Sequence, residues 1–412
     1  MYEVAIIGAG PAGIEAAKST FFYKLKSILI EKSYGHFGGV CLNEGCIPAK
    51  YYLNASSYNL ELEVLYQKKN HIIDSIKEDA LSYLQKKGIE IIWGKAQLYN
   101  EHKIKIEEKI IEAKNIIVAV GSNPFELIKV DRKRVFFAED IFALTNIPQK
   151  ILIVGAGAVG LEIACLLHNL KRDVLVIEKE ERILPTFDRF LSNRLRIILE
   201  RKGIKIRLKE NITNYNIDDF DMVLLATGRV PNINDLGADK IGISMNGEWI
   251  NVDMYLKTKI SNIYAAGDIT GNKLLACVAE AEGKVAVDNI VGNQRKLDLV
   301  GLPECVFTYP QLSSVGILEE EAEKRNIKYN IIKSNFLKFS SSYVYSDTDG
   351  FIEILFDENE NILGAGIISL KASELISILS LAIRSSLKIG QLKKATFIHP
   401  TLSEIISKSL RM

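Results

Sequence analysis

Cysteine is scarce in this chain of 412 residues, and the five present, Cys41, Cys46, Cys165, Cys277 and Cys305, are scattered. Their number is too small for a disulfide scaffold, and an odd count argues against a fully paired secreted protein. An excess of charge is missing too. Lys and Arg total 52 against 51 Asp and Glu, a net charge of +1, which leaves no electrostatic footprint for nucleic acid or an anionic membrane. No apolar run reaches the roughly 20 residues that a bilayer span requires. The most apolar stretch, Ile151 to Leu167, contains Glu162 and is interrupted by Gly155, Gly157 and Gly160, so it reads as buried strand, turn and helix. With 48% apolar and 25% charged residues and no low-complexity segment, the composition excludes disorder and coiled coil. A strand pattern begins almost at Met1 and leaves no room for a signal or transit peptide. The expectation is a cytoplasmic protein.

What is present is size and repetition. The length allows two to four domains, each with its own core. Val4-Ala-Ile-Ile-Gly8-Ala-Gly10-Pro-Ala-Gly13 is a short apolar strand running into GxGxxG and a helix pattern, and Ile151-Leu-Ile-Val-Gly155-Ala-Gly157-Ala-Val-Gly160 repeats it. Each copy is followed by a second apolar strand ending in an acid, Ser27 to Glu31 and Val174 to Glu178. The two acids stand equally far past their first glycines, close to the roughly 20 residues of a dinucleotide fingerprint. Each part has a physical task. Gly8 and Gly155 make the tight turn, Gly10 and Gly157 let backbone N–H groups approach a pyrophosphate, and Gly13 and Gly160 allow close helix packing. The helix N-terminus adds partial positive charge. Glu31 and Glu178 would accept hydrogen bonds from ribose hydroxyls, and a carboxylate there repels a 2′-phosphate, so Glu178 favours NAD over NADP.

A second echo closes each half. The runs from Ile116 to Pro124 and from Met222 to Pro231 are apolar strands ending at Gly121 and Gly228, with proline just beyond. Helical patterns over Leu60–Lys87 and Arg189–Lys202 and strand patterns over Ile89–Trp93, Ile104–Ile111 and Ile204–Leu208 fill the intervals. Strands alternating with helices predict a parallel α/β core. Beyond about residue 300, strand-like runs at 351–356 and 362–368 and helical periodicity at 373–387 predict a separate α+β domain.

Between the two fingerprints lies Cys41-Leu-Asn-Glu-Gly-Cys46-Ile-Pro48-Ala-Lys50. Nearby cysteines are often buried small apolar groups, but Asn43, Glu44, Gly45 and Pro48 are not core-like neighbours. A metal site is disfavoured because no second Cys or His pair accompanies them. Bridged cysteines have Cα atoms within about 7 Å. A regular helix would separate an i,i+5 pair by more than that on rise alone. A bridge therefore needs a distorted helical turn, which Gly45 and Pro48 permit, and such a bridge would be labile rather than structural. The pair reads as a redox-active dithiol, and Cys165, Cys277 and Cys305 read as packing residues. Near the C-terminus, Glu404 follows His399 by five residues, a spacing at which a carboxylate can orient an imidazole base.

CLNEGCIPAK after a fingerprint of this kind resembles the active-site signature of the pyridine nucleotide–disulfide oxidoreductases. Ile263-Tyr-Ala-Ala-Gly267-Asp268 is similar to that family's second flavin motif, Phe307 to Gly316 to the start of its dimerisation domain, and His399-Pro-Thr-Leu-Ser-Glu404 to its C-terminal catalytic motif. The resemblance implies an α/β fold with two Rossmann-like domains, for FAD and NAD, plus a C-terminal α+β dimerisation domain. The implied boundaries are 1–124 with 258–299 for FAD, 125–257 for NAD and 300–412 for dimerisation. It also implies a Cys41–Cys46 redox disulfide, with Cys41 as the interchange thiol and Cys46 on the flavin side. Lys50 would approach the isoalloxazine and pair with Glu162, and Asp268 would hold the ribitol region. His399, oriented by Glu404, would act on the disulfide of the partner subunit in a homodimer. No metal is implied.

The cysteine motif is most similar to family members that oxidise protein-bound dihydrolipoyl groups with NAD⁺. That implies a lipoyl domain of a 2-oxoacid dehydrogenase or glycine-cleavage complex as partner. Two other readings are another NAD(P)H-dependent disulfide or thiol reductase of the same family, and a flavin-binding component without turnover. The sequence departs from the family pattern at Val40 and Val120, each where a Thr is usual, and at Phe397, where a second His is usual. The segment between Lys50 and Ile116 is also shorter than in typical members.

Overall fold

The structure, a computed structural model, describes residues 1–55 and 61–411. The chain divides into two compact units. The first comprises Met1–Phe125, Glu139–Asn146 and Gly228–Asp298, and the second Glu126–Ala138, Ile147–Thr227 and the chain from Leu299 onward.

The first unit is built on a seven-stranded sheet. Tyr2–Ile7 lies parallel to Ser27–Glu31 on one side and to Lys109–Val118 on the other. Glu90–Trp93 and Ile263–Ala265 extend the parallel set. The antiparallel strands Lys103–Ile106 and Ala96–Asn100 complete it. The expected single strand over 104–111 is in fact a hairpin. The chain reverses at Glu107, whose φ is +51°, a bend hidden by the apolar alternation on both sides of it. Two helices, Pro11–Phe22 and Ala276–Ile290, pack closely over one face. The absence of a side chain at Gly283 permits this, because a Cβ there would lie 2.2 Å from the Ala12 carbonyl oxygen. Leu62–Lys86 forms a 25-residue amphipathic helix; Leu60, where the sequence pattern began, lies outside the described residues.

Residues 228–257, expected with the NAD-type half, belong to this first unit. Arg229–Pro231 pairs antiparallel with Ser122–Pro124, so the two echoed turns bond to each other. Leu236, Ala238, Ile243 and Ile250 pack into the same apolar cluster as Ile7, Ile28 and Ile104.

The second unit contains two five-stranded sheets. One is parallel throughout, in the order Lys205–Leu208, Asp173–Glu178, Lys150–Val154, Met222–Leu225, Val135–Phe137. Asp188 caps the helix Arg189–Arg201 that runs beside it, accepting from the Phe190 and Leu191 N–H groups. The other sheet is antiparallel, from Pro303–Val306 through Gln311–Gly316, Ile362–Ser369 and Phe351–Phe356 to Asn330–Asn335. Its amphipathic helix, Ala372–Arg384, buries Leu375, Ile376, Leu379 and Ala382 against Ile354 and Ile367, worth about 2 kcal/mol for each large side chain. That helix stops short of residue 387 because Ser386 turns left-handed and the Leu387 N–H closes on the Ala382 carbonyl. Among the described residues no helix is long and apolar enough to cross a membrane.

Candidate active site

The two glycine turns have the same construction in each unit. Gly8 and Gly155 adopt φ of +101° and +107°, and a Cβ on either would lie 2.3 or 2.4 Å from the carbonyl oxygen of Ala119 or Ala226 on the neighbouring strand end. Gly13 and Gly160 pack on those first glycines, 1.8 and 2.0 Å from a would-be Cβ to the carbonyl oxygen. Gly10 and Gly157 cap the helices that follow. Space beside Gly157 is open to 4 Å. The acids close the turns. The Ala9 N–H donates to Glu31 Oε2 at 2.7 Å, and the Ala156 N–H donates to Glu178 Oε2 at 2.7 Å. Burial pushes the Glu31 carboxyl up from its ordinary value, opposed by the Ala9 and Lys32 N–H groups. Each turn thus offers a bare helix N-terminus and an anchored carboxylate, the donor and acceptor set that a pyrophosphate and a ribose require. The residues fit a dinucleotide twice.

Asp268 follows Gly267, which is left-handed at φ +82°. Its Oδ2 accepts from Ser122 Oγ at 2.5 Å. Beneath it, Glu282 is buried and accepts from the Gly267 N–H at 2.6 Å and from Asn272 Nδ2 at 2.8 Å. Burial raises the Glu282 carboxyl to about 7 against those hydrogen bonds.

The cysteine motif breaks its helix where the sequence required. Gly39–Asn43 ends as Glu44 turns out at φ −136°, and a second helix, Cys46–Ala55, begins two residues later. Gly45 makes the break possible, since a Cβ would lie 3.1 Å from the Val40 carbonyl oxygen and 3.5 Å from Cys41 Cα. Cys41 is half-buried and Cys46 exposed. Their side chains hydrogen-bond; that contact, then burial, then the charges of Cys46 and Glu280 hold the Cys41 thiol above its ordinary value. Lys50 lies four residues after Cys46, on the same helix face. Cys165 is buried as expected, but Cys277 is exposed and Cys305 half-buried. Cys277 is the second residue of the helix Ala276–Ile290.

In the second unit, His399 Nδ1 lies 3.0 Å from Glu404 Oε2, and Lys408 Nζ is 3.0 Å from the same oxygen. Glu404 is 4% exposed at the start of the helix Glu404–Ser409. Burial would raise its carboxyl, but the Lys408 and His399 hydrogen bonds outweigh that and hold it below the usual value. An ionised acceptor fixes the ring proton on Nδ1 and leaves Nε2 as the basic nitrogen. The imidazole side chain is 63% exposed, so Nε2 is available to a reactant. Glu162 accepts from the Phe307 N–H at 2.9 Å and fastens its helix to the antiparallel sheet.

A paired dithiol, two dinucleotide cradles and an oriented imidazole on one chain invite comparison with known proteins. Residues 2–283 match the pyridine nucleotide-disulphide oxidoreductase model, and residues 302–410 match the dimerisation domain of the same family. The chain belongs to the pyridine nucleotide-disulphide oxidoreductase family. It is similar to a dihydrolipoyl dehydrogenase of Chlamydia trachomatis serovar D, 32% identical over an alignment of 450 residues that spans 99% of this chain and 96% of that one. The dihydrolipoyl dehydrogenase of Buchnera aphidicola subsp. Schizaphis graminum is 31% identical across 98% of this chain and 94% of its own. Among solved structures, the HOCl-induced flavoprotein disulfide reductase RclA from Escherichia coli superposes with a TM-score of 0.92 at 25% identity, covering 100% of both chains.

As a member of this oxidoreductase family the chain is an α/β flavoprotein that uses FAD and NAD, with the dithiol as its redox centre. The structure brings Cys41 to Cys46 and His399 to Glu404, and it places Gly121 and Gly228 on the paired turns. Three participants escaped the sequence reading: Ser122, Arg229 and Glu282. A signal existed for two of them, since Ser122 and Arg229 each directly follow the glycine of an echoed turn. Val120 is part-buried against the first sheet and Phe397 against the antiparallel sheet's core.

Proposed function

We propose that the chain is a homodimeric dihydrolipoyl dehydrogenase that oxidises protein-bound dihydrolipoyl groups with NAD⁺ as acceptor. The observation that carries this reading is the hydrogen-bonded Cys41–Cys46 pair held across a broken helix, in a chain about a third identical to dihydrolipoyl dehydrogenases over its whole length. Gly8, Gly10, Gly13, Glu31 and Asp268 would hold FAD, with Lys50 beside its ring. Gly155, Gly157, Gly160 and Glu178 would hold NAD. The boundary supported best is an FAD domain that includes 228–257.

In the forward direction His399 Nε2 of the partner subunit takes the proton of one substrate thiol. The thiolate attacks Cys41 Sγ, the Cys41–Cys46 bond breaks, and Cys46 leaves as a thiolate. The second substrate thiol then displaces Cys41, so the lipoyl disulfide forms and the electron pair rests on the Cys41–Cys46 dithiol. FAD, when bound, supplies the step that takes this pair from Cys46 toward NAD⁺. Glu404 stabilises the imidazolium formed in the first transfer. The partner is the lipoyl domain of a 2-oxoacid dehydrogenase or glycine-cleavage complex. A dithiol that must be re-formed on every turnover, in a chain with an odd cysteine count, agrees with a reducing cytoplasm.

The test is a steady-state comparison of dihydrolipoamide, glutathione disulfide and coenzyme A disulfide with NAD(H) and NADP(H). Turnover confined to dihydrolipoamide and NAD⁺ is expected. Faster reduction of either disulfide by NADPH would refute the assignment.

A further inference from the structure

We propose that Arg229 is a positioning residue for FAD, acting on Asp268 through the hydroxyl of Ser122. The inference rests on the reading of the first unit as the flavin site. Its basis is one guanidinium with three committed donors. Arg229 Nε donates to Ser122 Oγ at 2.7 Å, Nη2 to the Ser122 carbonyl oxygen at 2.8 Å, and Nη1 to Glu139 Oε1 at 3.0 Å. Ser122 is 4% exposed, and the Arg229 and Glu139 side chains are 20% and 13% exposed.

The direction of the relay follows from the chemistry of the groups. Arginine has donors only, whereas a serine hydroxyl has one proton and two lone pairs. Because Arg229 occupies a lone pair of Ser122 Oγ, the single serine proton is free to point at Asp268 Oδ2, 2.5 Å away. Nε itself is 4.0 Å from Asp268 Oδ2, too far for a direct hydrogen bond. Oδ2 is therefore tied to the protein, and among the described residues Oδ1 accepts no hydrogen bond. The carboxylate is turned so that one oxygen serves the scaffold and the other a ligand hydroxyl.

The position of the three partners gives the relay its meaning. Ser122 lies just before the chain leaves the first unit after Phe125, Glu139 lies where it re-enters, and Arg229 directly follows the second re-entry at Gly228. One side chain fastens three of the five places where the chain leaves or re-enters that unit, and carries their placement to the flavin-side carboxylate. The paired strands Ser122–Pro124 and Arg229–Pro231 hold the backbone in register so that the guanidinium can reach.

The experiment measures FAD release from purified holoenzyme, followed by recovery of flavin fluorescence, in wild type, Arg229→Met, Arg229→Lys, Ser122→Ala, Asp268→Asn and the double variant Arg229→Met with Asp268→Asn. Arg229→Met and Ser122→Ala are each expected to accelerate release by about 10-fold, the scale of a hydrogen bond to a charged group. Arg229→Lys keeps the charge but not the planar fork of donors, so it is expected to release FAD faster than wild type but no faster than Arg229→Met. In the Asp268→Asn background, Arg229→Met should add less than about twofold, since residues acting through one group are not additive. Multiplicative effects in the double variant, or release unchanged in Ser122→Ala, would overturn the relay. Ser122→Ala leaves the Arg229–Glu139 ion pair intact, so it stands in if the arginine variants fail to fold. No thiol substrate enters the measurement. Loss of dihydrolipoamide turnover alone would therefore count against the proposed activity and not against the relay.

Discussion

Glu353 is the carboxylate most at odds with its surroundings, and replacing it should make the protein more stable in alkaline solution. It lies in the strand Phe351–Phe356, 0% exposed, and neither oxygen has a hydrogen-bond partner among the described residues. Lys333 Nζ is 4.0 Å from Oε2 and is already paired with Glu319. Burial, followed by the charge of Asp188, pushes the Glu353 carboxyl up to about 8 against the pull of Lys333. A carboxyl raised in the folded state contributes its full stability below the unfolded value near 4.5 and loses it as pH rises toward about 8. Each pH step over that interval is worth about 1.4 kcal/mol, for a ceiling of about 5 kcal/mol. Relaxation and water entry around a buried charge lower the ceiling, and about 2 kcal/mol is expected at pH 9. Glu353→Gln keeps the shape and removes the ionisation. It should melt close to wild type at pH 5 and about 2 °C above it at pH 9, by calorimetry of both proteins across the range. Two melting curves that run parallel with pH would refute the argument.

Four other outcomes follow from the site. Cys41→Ser and Cys46→Ser should each lower dihydrolipoamide turnover by at least about 1,000-fold while FAD stays bound; turnover at the wild-type rate in either would end the dithiol mechanism. Glu404→Gln should reduce kcat about 100-fold, because the ionised carboxylate that holds the ring proton on Nδ1 is lost; turnover at the wild-type rate would remove Glu404 from the base. Gly13→Val places a side chain where a Cβ would already meet the Gly8 carbonyl oxygen at 1.8 Å. It should cost about 3 kcal/mol or prevent folding, and native-like melting would contradict the packing. Glu178→Ala should raise the NADPH-to-NADH ratio of kcat/KM at least about 10-fold, and an unchanged ratio would detach Glu178 from cofactor choice.

Features set by neighbouring residues were legible in the sequence. The strand–glycine–helix repeats, the acids behind them and the broken turn at Gly45 depend on local backbone requirements, and each can be read from a short window. The spacing of His399 and Glu404 belongs with them. Arrangements made by distant pairing were not legible. Arg229 meets Ser122 across 107 positions and Glu139 across 90, and the strand pairing of two similar turns brings Arg229 to Ser122. The same pairing moves residues 228–257 into the first unit, where the motif order alone placed them in the NAD half. The hairpin at Glu107 was obscured because its two strands continue one apolar alternation.

Glu31 and Glu178 each spend one oxygen on the N–H of the alanine that follows the first glycine. The residue that selects the nucleotide is thus also the latch of the loop that receives it. At Glu178 cofactor preference and loop stiffness cannot drift independently: a lineage exchanging this acid for a basic residue, to admit a 2′-phosphate, would unfasten the turn at the same step. Some other acceptor would then have to take over the Ala156 N–H. A change of coenzyme in this architecture requires at least two coordinated substitutions, and the intermediate holding only one of them would bind either nucleotide weakly.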